Sequence, residues 1–127
     1  MNAFYLLAGF VAVATAFTHA AWGERVIVPE LKKSKMNELA RAGFHIAWHQ
    51  VTALLFAGGI ALILVSMFAG VIGDMAAVLL VAFILFNNII VFLTVSRLKY
   101  PKVTSRTLPP ITNSIVMILL IIGGWFY

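Results

Sequence analysis

Residues 44–71 read FHIAWHQVTALLFAGGIALILVSMFAGV, with no aspartate, glutamate, lysine or arginine among them. A helix rising ~1.5 Å per residue needs about 20 apolar residues to cross a ~30 Å hydrocarbon core. This stretch exceeds that length, so it is expected to tilt or to project beyond the lipid. Inside hydrocarbon the backbone has no water to bond, and a continuous run of this kind satisfies its amides only as a helix.

Three further apolar stretches flank it, at Ala3–Trp22, Met75–Val95 and Pro109–Tyr127. The expected fold is an all-α membrane protein, one four-helix transmembrane bundle over residues 1–127. Its helices are placed at about 3–22, 38–71, 75–96 and 109–127, up-down-up-down with short connections. The first stretch ends in small residues like a signal peptide. It lacks a positive leader, however, and its apolar run is longer than a signal peptide's, so a retained helix is expected. Asn37 and Glu38 read as the cap and first turn of the second helix. Pro109-Pro110 suits the first turn of the fourth, where a missing amide hydrogen matters little.

Composition agrees. Of 127 residues 63% are hydrophobic and 10% charged, with a mean hydropathy of +1.06, and a small soluble globule cannot hide so much apolar surface. There is no cysteine, which excludes disulfides, thiolate metal sites and cysteine nucleophiles. The net charge of +5 belongs to two segments. Arg25, Lys32, Lys33, Lys35 and Arg41 precede the second apolar stretch, and Arg97, Lys99, Lys102 and Arg106 precede the fourth. The positive-inside rule places both basic loops, 23–41 and 97–108, in the cytoplasm and both termini on the other side. Phe4, Tyr5, Trp125, Phe126 and Tyr127 then form an outer aromatic belt, with Trp22 and Tyr100 at the inner face. The expected location is the plasma membrane of a bacterium, the expected partner the lipid bilayer. Basic residues beside a membrane meet anionic lipid, so no nucleic-acid partner is expected.

In lipid the informative residues are polar, because each must be paired or must line something wet. Arg41, His45, His49 and Thr52 recur at i, i+4, i+8 and i+11, which puts them on one face of the second helix. Ala8, Ala12, Thr15, His19 and Trp22 form a matching face on the first, where Ala8-x-x-x-Ala12 permits close contact. The chain reverses at this end, so His19, Glu24, His45 and His49 share the cytoplasmic third, with Asn113 at similar depth. These four are the candidate ligands, and His45 with His49 the sharpest metal pair. Neutral imidazole and carboxylate suit zinc, copper, iron or nickel. A b-type haem between His19 and a histidine of the second helix is a second cofactor reading. The plainer reading is a polar cluster tying helices together.

Arg41, Thr52, Asn87, Asn88 and Asn113 are candidates for a polar lining or for helix–helix contacts. Gly58-Gly59 and Gly123-Gly124 are expected to permit close helix approach. No nucleophile, base and orienting group stand at catalytic spacing, so no catalytic residue is assigned. Three functions stay open: a His/Glu site for a metal, haem or lipid-like ligand; a small oligomeric transporter or channel with a path past Asn87 and Asn88; and an accessory subunit of a larger membrane complex. So small a bundle is expected to form a homo-oligomer or to dock onto such a complex.

Size and helix count resemble those of small multidrug resistance proteins and of fluoride channels, and such a resemblance would imply transport. It covers architecture alone. The apolar run of the first helix holds no acid, the glycine-rich motifs of fluoride channels are missing, and the charge bias is strong.

Overall fold

The computed structural model describes residues 1–68, 74–99, 101 and 108–127. They form helices in the order α1 (Ala3–Trp22), a π-helical turn (Gly23–Ile27), α2 (Val28–Lys33), α3 (Glu38–Met67), α4 (Asp74–Lys99) and α5 (Leu108–Trp125). Three spans are long and apolar enough to cross a membrane: Ala3–Lys33, Glu38–Met67 and Met75–Leu98. The last helix has a shorter apolar run, Ile111–Trp125.

Two of the expected loops prove partly helical. In the first basic segment, residues 23–41, the chain continues as helix from Gly23 to Lys33 and resumes at Glu38. Pro29 permits this because it lies in the first turn of α2, where no amide hydrogen is required. In the second basic segment, Arg97 and Lys99 extend α4 rather than leaving it. The second long helix ends at Met67, before the expected 71, while α4 and α5 begin and end within a few residues of expectation. Residues 69–73, Tyr100, Lys102 and Arg106 lie outside the described residues.

Helix ends follow local chemistry. The Asn37 carboxamide accepts from the Ala40 amide at 2.8 Å, capping α3 as expected. Asn2 does the same for α1, accepting from the Phe4 and Tyr5 amides at 3.1 and 3.2 Å. Asn2 also joins helices: its amide nitrogen donates to the Gly124 carbonyl at 2.7 Å, and its backbone N–H to the Ser66 carbonyl at 3.1 Å. The start of α1 therefore meets the ends of α3 and α5, which makes both helices antiparallel to α1.

At the centre of the bundle α1 packs against α3 and α5, and α4 closes against those two. Its fit to α3 depends on glycine. A Cβ on Gly9 would stand 2.7 Å from the Gly59 carbonyl oxygen, and one on Gly59 would stand 2.9 Å from the Gly9 carbonyl oxygen. Ala8 and Ala12 are buried beside this crossing, so small residues set the interhelical distance. Gly123 and Gly124 likewise lie under Phe4 and Tyr5. By contrast, a Cβ on Gly58 would meet Val81 at an ordinary 3.5 Å. The apolar core is completed by Leu62, Val78, Leu85, Met117 and Ile121.

Candidate functional site

The polar stripe of α3 reads antiparallel down the preceding segment, one partner after another. The Arg41 guanidinium donates from Nη1 to the Lys32 carbonyl at 3.2 Å. One turn on, His45 Nε2 lies 2.9 Å from Glu24 Oε1, and after another turn His49 Nε2 lies 2.7 Å from the same oxygen. Then Thr52 Oγ1 meets His19 Nδ1 at 2.8 Å. A spacing of i, i+4, i+8 and i+11 keeps all four residues on one face, and that face lies against Lys32, Glu24 and His19 in reverse order.

Glu24 lies where the helix changes its winding. At Gly23–Ile27 the turn is π-helical, closed by the Val28 amide on the Gly23 carbonyl. A π turn holds an extra residue and brings positions five apart, here Gly23 and Val28, into hydrogen-bonding register. Trp48 accompanies this widening. Its indole N–H donates to the His19 carbonyl at 3.2 Å, which also accepts from the Gly23 amide. Gly23 makes room for that indole, because a Cβ there would overlap the Trp48 ring.

Three side-chain atoms then converge. Besides their contacts with Glu24 Oε1, the two histidine Nε2 atoms lie 3.2 Å from each other. If both Nε2 atoms carry hydrogen, both donate to the one carboxylate oxygen. With both bare, three lone pairs converge on a point that one cation can occupy. Tetrahedral bonds of about 2.0–2.1 Å place ligand atoms roughly 3.3 Å apart, which the two nitrogens nearly match at 3.2 Å, whereas the carboxylate oxygen would have to withdraw by about half an ångström. The side chains of Glu24, His45 and His49 are 50%, 37% and 45% exposed, so the cluster is open to solvent on one side.

The remaining candidates fall elsewhere. His19 does not join the group of three metal-competent side chains. Its Nδ1 is engaged by Thr52, and its ring is stacked on Trp48. Asn113 donates to Thr15 Oγ1 at 3.2 Å and ties α5 to α1. Asn87 is exposed and Asn88 half-buried on α4, away from the cluster. The gap bounded by Ala12, Leu54, Leu55, Gly58, Val81, Ile84 and Leu85 has an apolar lining, and neither asparagine contributes to it.

Sequence reasoning missed Trp48 as a structural wedge and Gly23 as its seat. The signal was there, as a single glycine between Trp22 and Glu24 opposite a tryptophan in the histidine-bearing turn. Asn2 was also missed, although an asparagine directly before an apolar helix is a cap signal. The chain matches no family model, and no curated protein or solved structure is significantly similar to it.

Proposed function

We propose that this chain is a four-helix integral membrane protein that binds a divalent transition metal through Glu24, His45 and His49 at its cytoplasmic face. The observation that carries the reading is the convergence of two imidazole Nε2 atoms and one carboxylate oxygen within 2.7–3.2 Å of one another. Two histidines and one carboxylate suit zinc or ferrous iron, and three protein ligands leave a position for water or an oxygen-bearing substrate. The basic residues Arg25, Lys32, Lys33, Lys35 and Arg41 flank the cluster in sequence, which argues for the cytoplasmic side and for both termini on the opposite side. A small ion is favoured over a haem because the two imidazole Nε2 atoms lie 3.2 Å apart and converge from one side, whereas axial haem ligands stand on opposite faces of the porphyrin.

The test is metal analysis of detergent-purified protein after equilibration with zinc or ferrous iron, beside Glu24→Gln, His45→Ala and His49→Ala. About one bound ion per chain is expected, with affinity falling ~10-fold to 100-fold or more when a ligand is removed. Wild-type protein that binds no more metal than the double variant His45→Ala/His49→Ala would overturn the proposal. Thr52→Val serves as the control, since it alters the neighbouring His19 contact and should retain the ion.

A further inference from the structure

Helix α4 carries a polar residue where a bilayer offers it nothing to bond. Asn87 lies near the middle of Asp74–Lys99 and is exposed. At ~1.5 Å per residue, about 20 Å of helix separates it from either end. No hydrogen bond joins its carboxamide to another described residue. An unsatisfied amide in hydrocarbon is costly, and asparagine in such a place normally bonds across a helix–helix interface.

The residues around it form a seam. Leu80, Phe83, Asn87, Ile90 and Thr94 follow one another at intervals of three, four, three and four. All five are exposed, with Leu80 at 60%, Phe83 at 67% and Ile90 at 48%. This is the a/d spacing by which two helices pack along a shared line. In that register Leu80, Asn87 and Thr94 occupy a positions and Phe83 and Ile90 occupy d positions. One asparagine at a central a position fixes both partner and register, because its carboxamide offers a donor and an acceptor to its own counterpart.

We infer that two copies of this chain associate through α4, with Asn87 of each bonded to Asn87 of the other across a twofold axis along the membrane normal. The second copy is the occupant the residues select. Self-pairing needs a group carrying both donor and acceptor at the same depth, and a second α4 supplies it by symmetry. The charge bias of the chain sets every copy in one orientation, which makes the two α4 helices parallel. Thr94 then faces Thr94, and Arg97 takes the next d position, near the membrane surface, where it is exposed and its guanidinium can turn to water. This inference rests on the membrane reading proposed above and not on the metal site.

The chain has no cysteine, so single-cysteine variants report proximity without a background. Membranes containing Leu80→Cys, Thr94→Cys or Val95→Cys would be oxidised with iodine and scored for disulfide-linked dimer. Val95 is also exposed, at 46%, but lies off the seam. Leu80→Cys and Thr94→Cys are expected to cross-link several-fold more than Val95→Cys, and adding Asn87→Leu should reduce Leu80→Cys cross-linking several-fold. Equal yields at all three positions would overturn the seam. Undiminished cross-linking with Asn87→Leu would overturn the role of the amide. Dimer formed only between co-expressed Leu80→Cys and Thr94→Cys chains would overturn the parallel arrangement. An alkaline wash of the same membranes tests the membrane reading independently, since release of the chain would refute that reading whatever the cross-linking shows.

Discussion

The His19 and Trp48 rings lie face to face, their centroids 4.2 Å apart and their planes within 6° of parallel. The same indole donates its N–H to the His19 carbonyl, so one side chain of α3 holds both the ring and the backbone at the end of α1. Phe44 and Trp22 border the indole on other sides, at centroid distances of 6.4 and 5.6 Å. Glu24 stands within the adjoining π turn, next to Gly23. The position of the carboxylate therefore depends on a tryptophan it does not touch.

Removing that wedge should show the dependence. Trp48→Ala is expected to destabilise the protein by about 3–5 kcal/mol. Trp48→Phe keeps an aromatic face but loses the N–H donor, and should cost about 1 kcal/mol. Denaturation in detergent followed by circular dichroism measures both. Metal affinity should fall with Trp48→Ala although no ligand has been changed.

Gly23→Ala attacks the same contact from the other side. Its Cβ would overlap the indole, and an overpacked site of this kind costs about 1–3 kcal/mol. The double variant Gly23→Ala/Trp48→Ala should be less destabilised than the sum of the two single changes. Strict additivity in a double-mutant cycle would show that the two residues do not interact.

The crossing of α1 and α3 gives a contrast among four glycines. Gly9→Ala and Gly59→Ala each drive a methyl group into opposing backbone, and each should destabilise by about 1–3 kcal/mol. Gly43 has nothing within 4 Å of the position its Cβ would take. Gly43→Ala should therefore stabilise α3, by about 0.5–1 kcal/mol from helix propensity. Gly58→Ala, with only ordinary contact to Val81, should lie between these limits. Thermal midpoints of the four variants, ranked side by side, provide the measurement.

Metal binding should appear in stability as well as in stoichiometry. A ligand that binds only the folded state adds about 2.7 kcal/mol at a hundredfold excess over its dissociation constant. Zinc or ferrous iron should raise the thermal midpoint of the wild type, and a chelator should reverse the rise. Glu24→Gln should show little of either. An equal metal response in wild type and Glu24→Gln would point to binding elsewhere on the protein.

Much of the fold can be read from apolar run length, because lipid-scale helices announce themselves by composition. The stripe of Arg41, His45, His49 and Thr52 was equally legible, since side-chain direction along a helix repeats with a fixed period. Its partners were harder to foresee. Helical periodicity places Glu24 well round the helix from His19, yet at the head of the π turn its carboxylate still meets the α3 stripe. The sequence carries no strong mark of that turn apart from Gly23. Asn87 and Asn88 were visible as polar residues in an apolar helix, but whether they face a neighbour or the exterior depends on how α4 is rotated against α3 and α5. That rotation is set by Val78, Val81 and Leu85 in the core, side chains no different in kind from the exposed Leu79, Leu80 and Phe83.

Asn2 has a consequence for the order of events during synthesis. Its carboxamide is bonded to the Gly124 carbonyl, 122 residues further along the chain. Asn2 therefore leaves the ribosome 122 residues ahead of its acceptor. Helix α1 can pair with α3 through the Gly9 and Gly59 crossing well before that. The bond to α5 must wait until Gly124 has emerged, and until then water has to serve the Asn2 amide. The clasp at that end thus works as a late latch, closed only after α1, α3 and α4 have been synthesised.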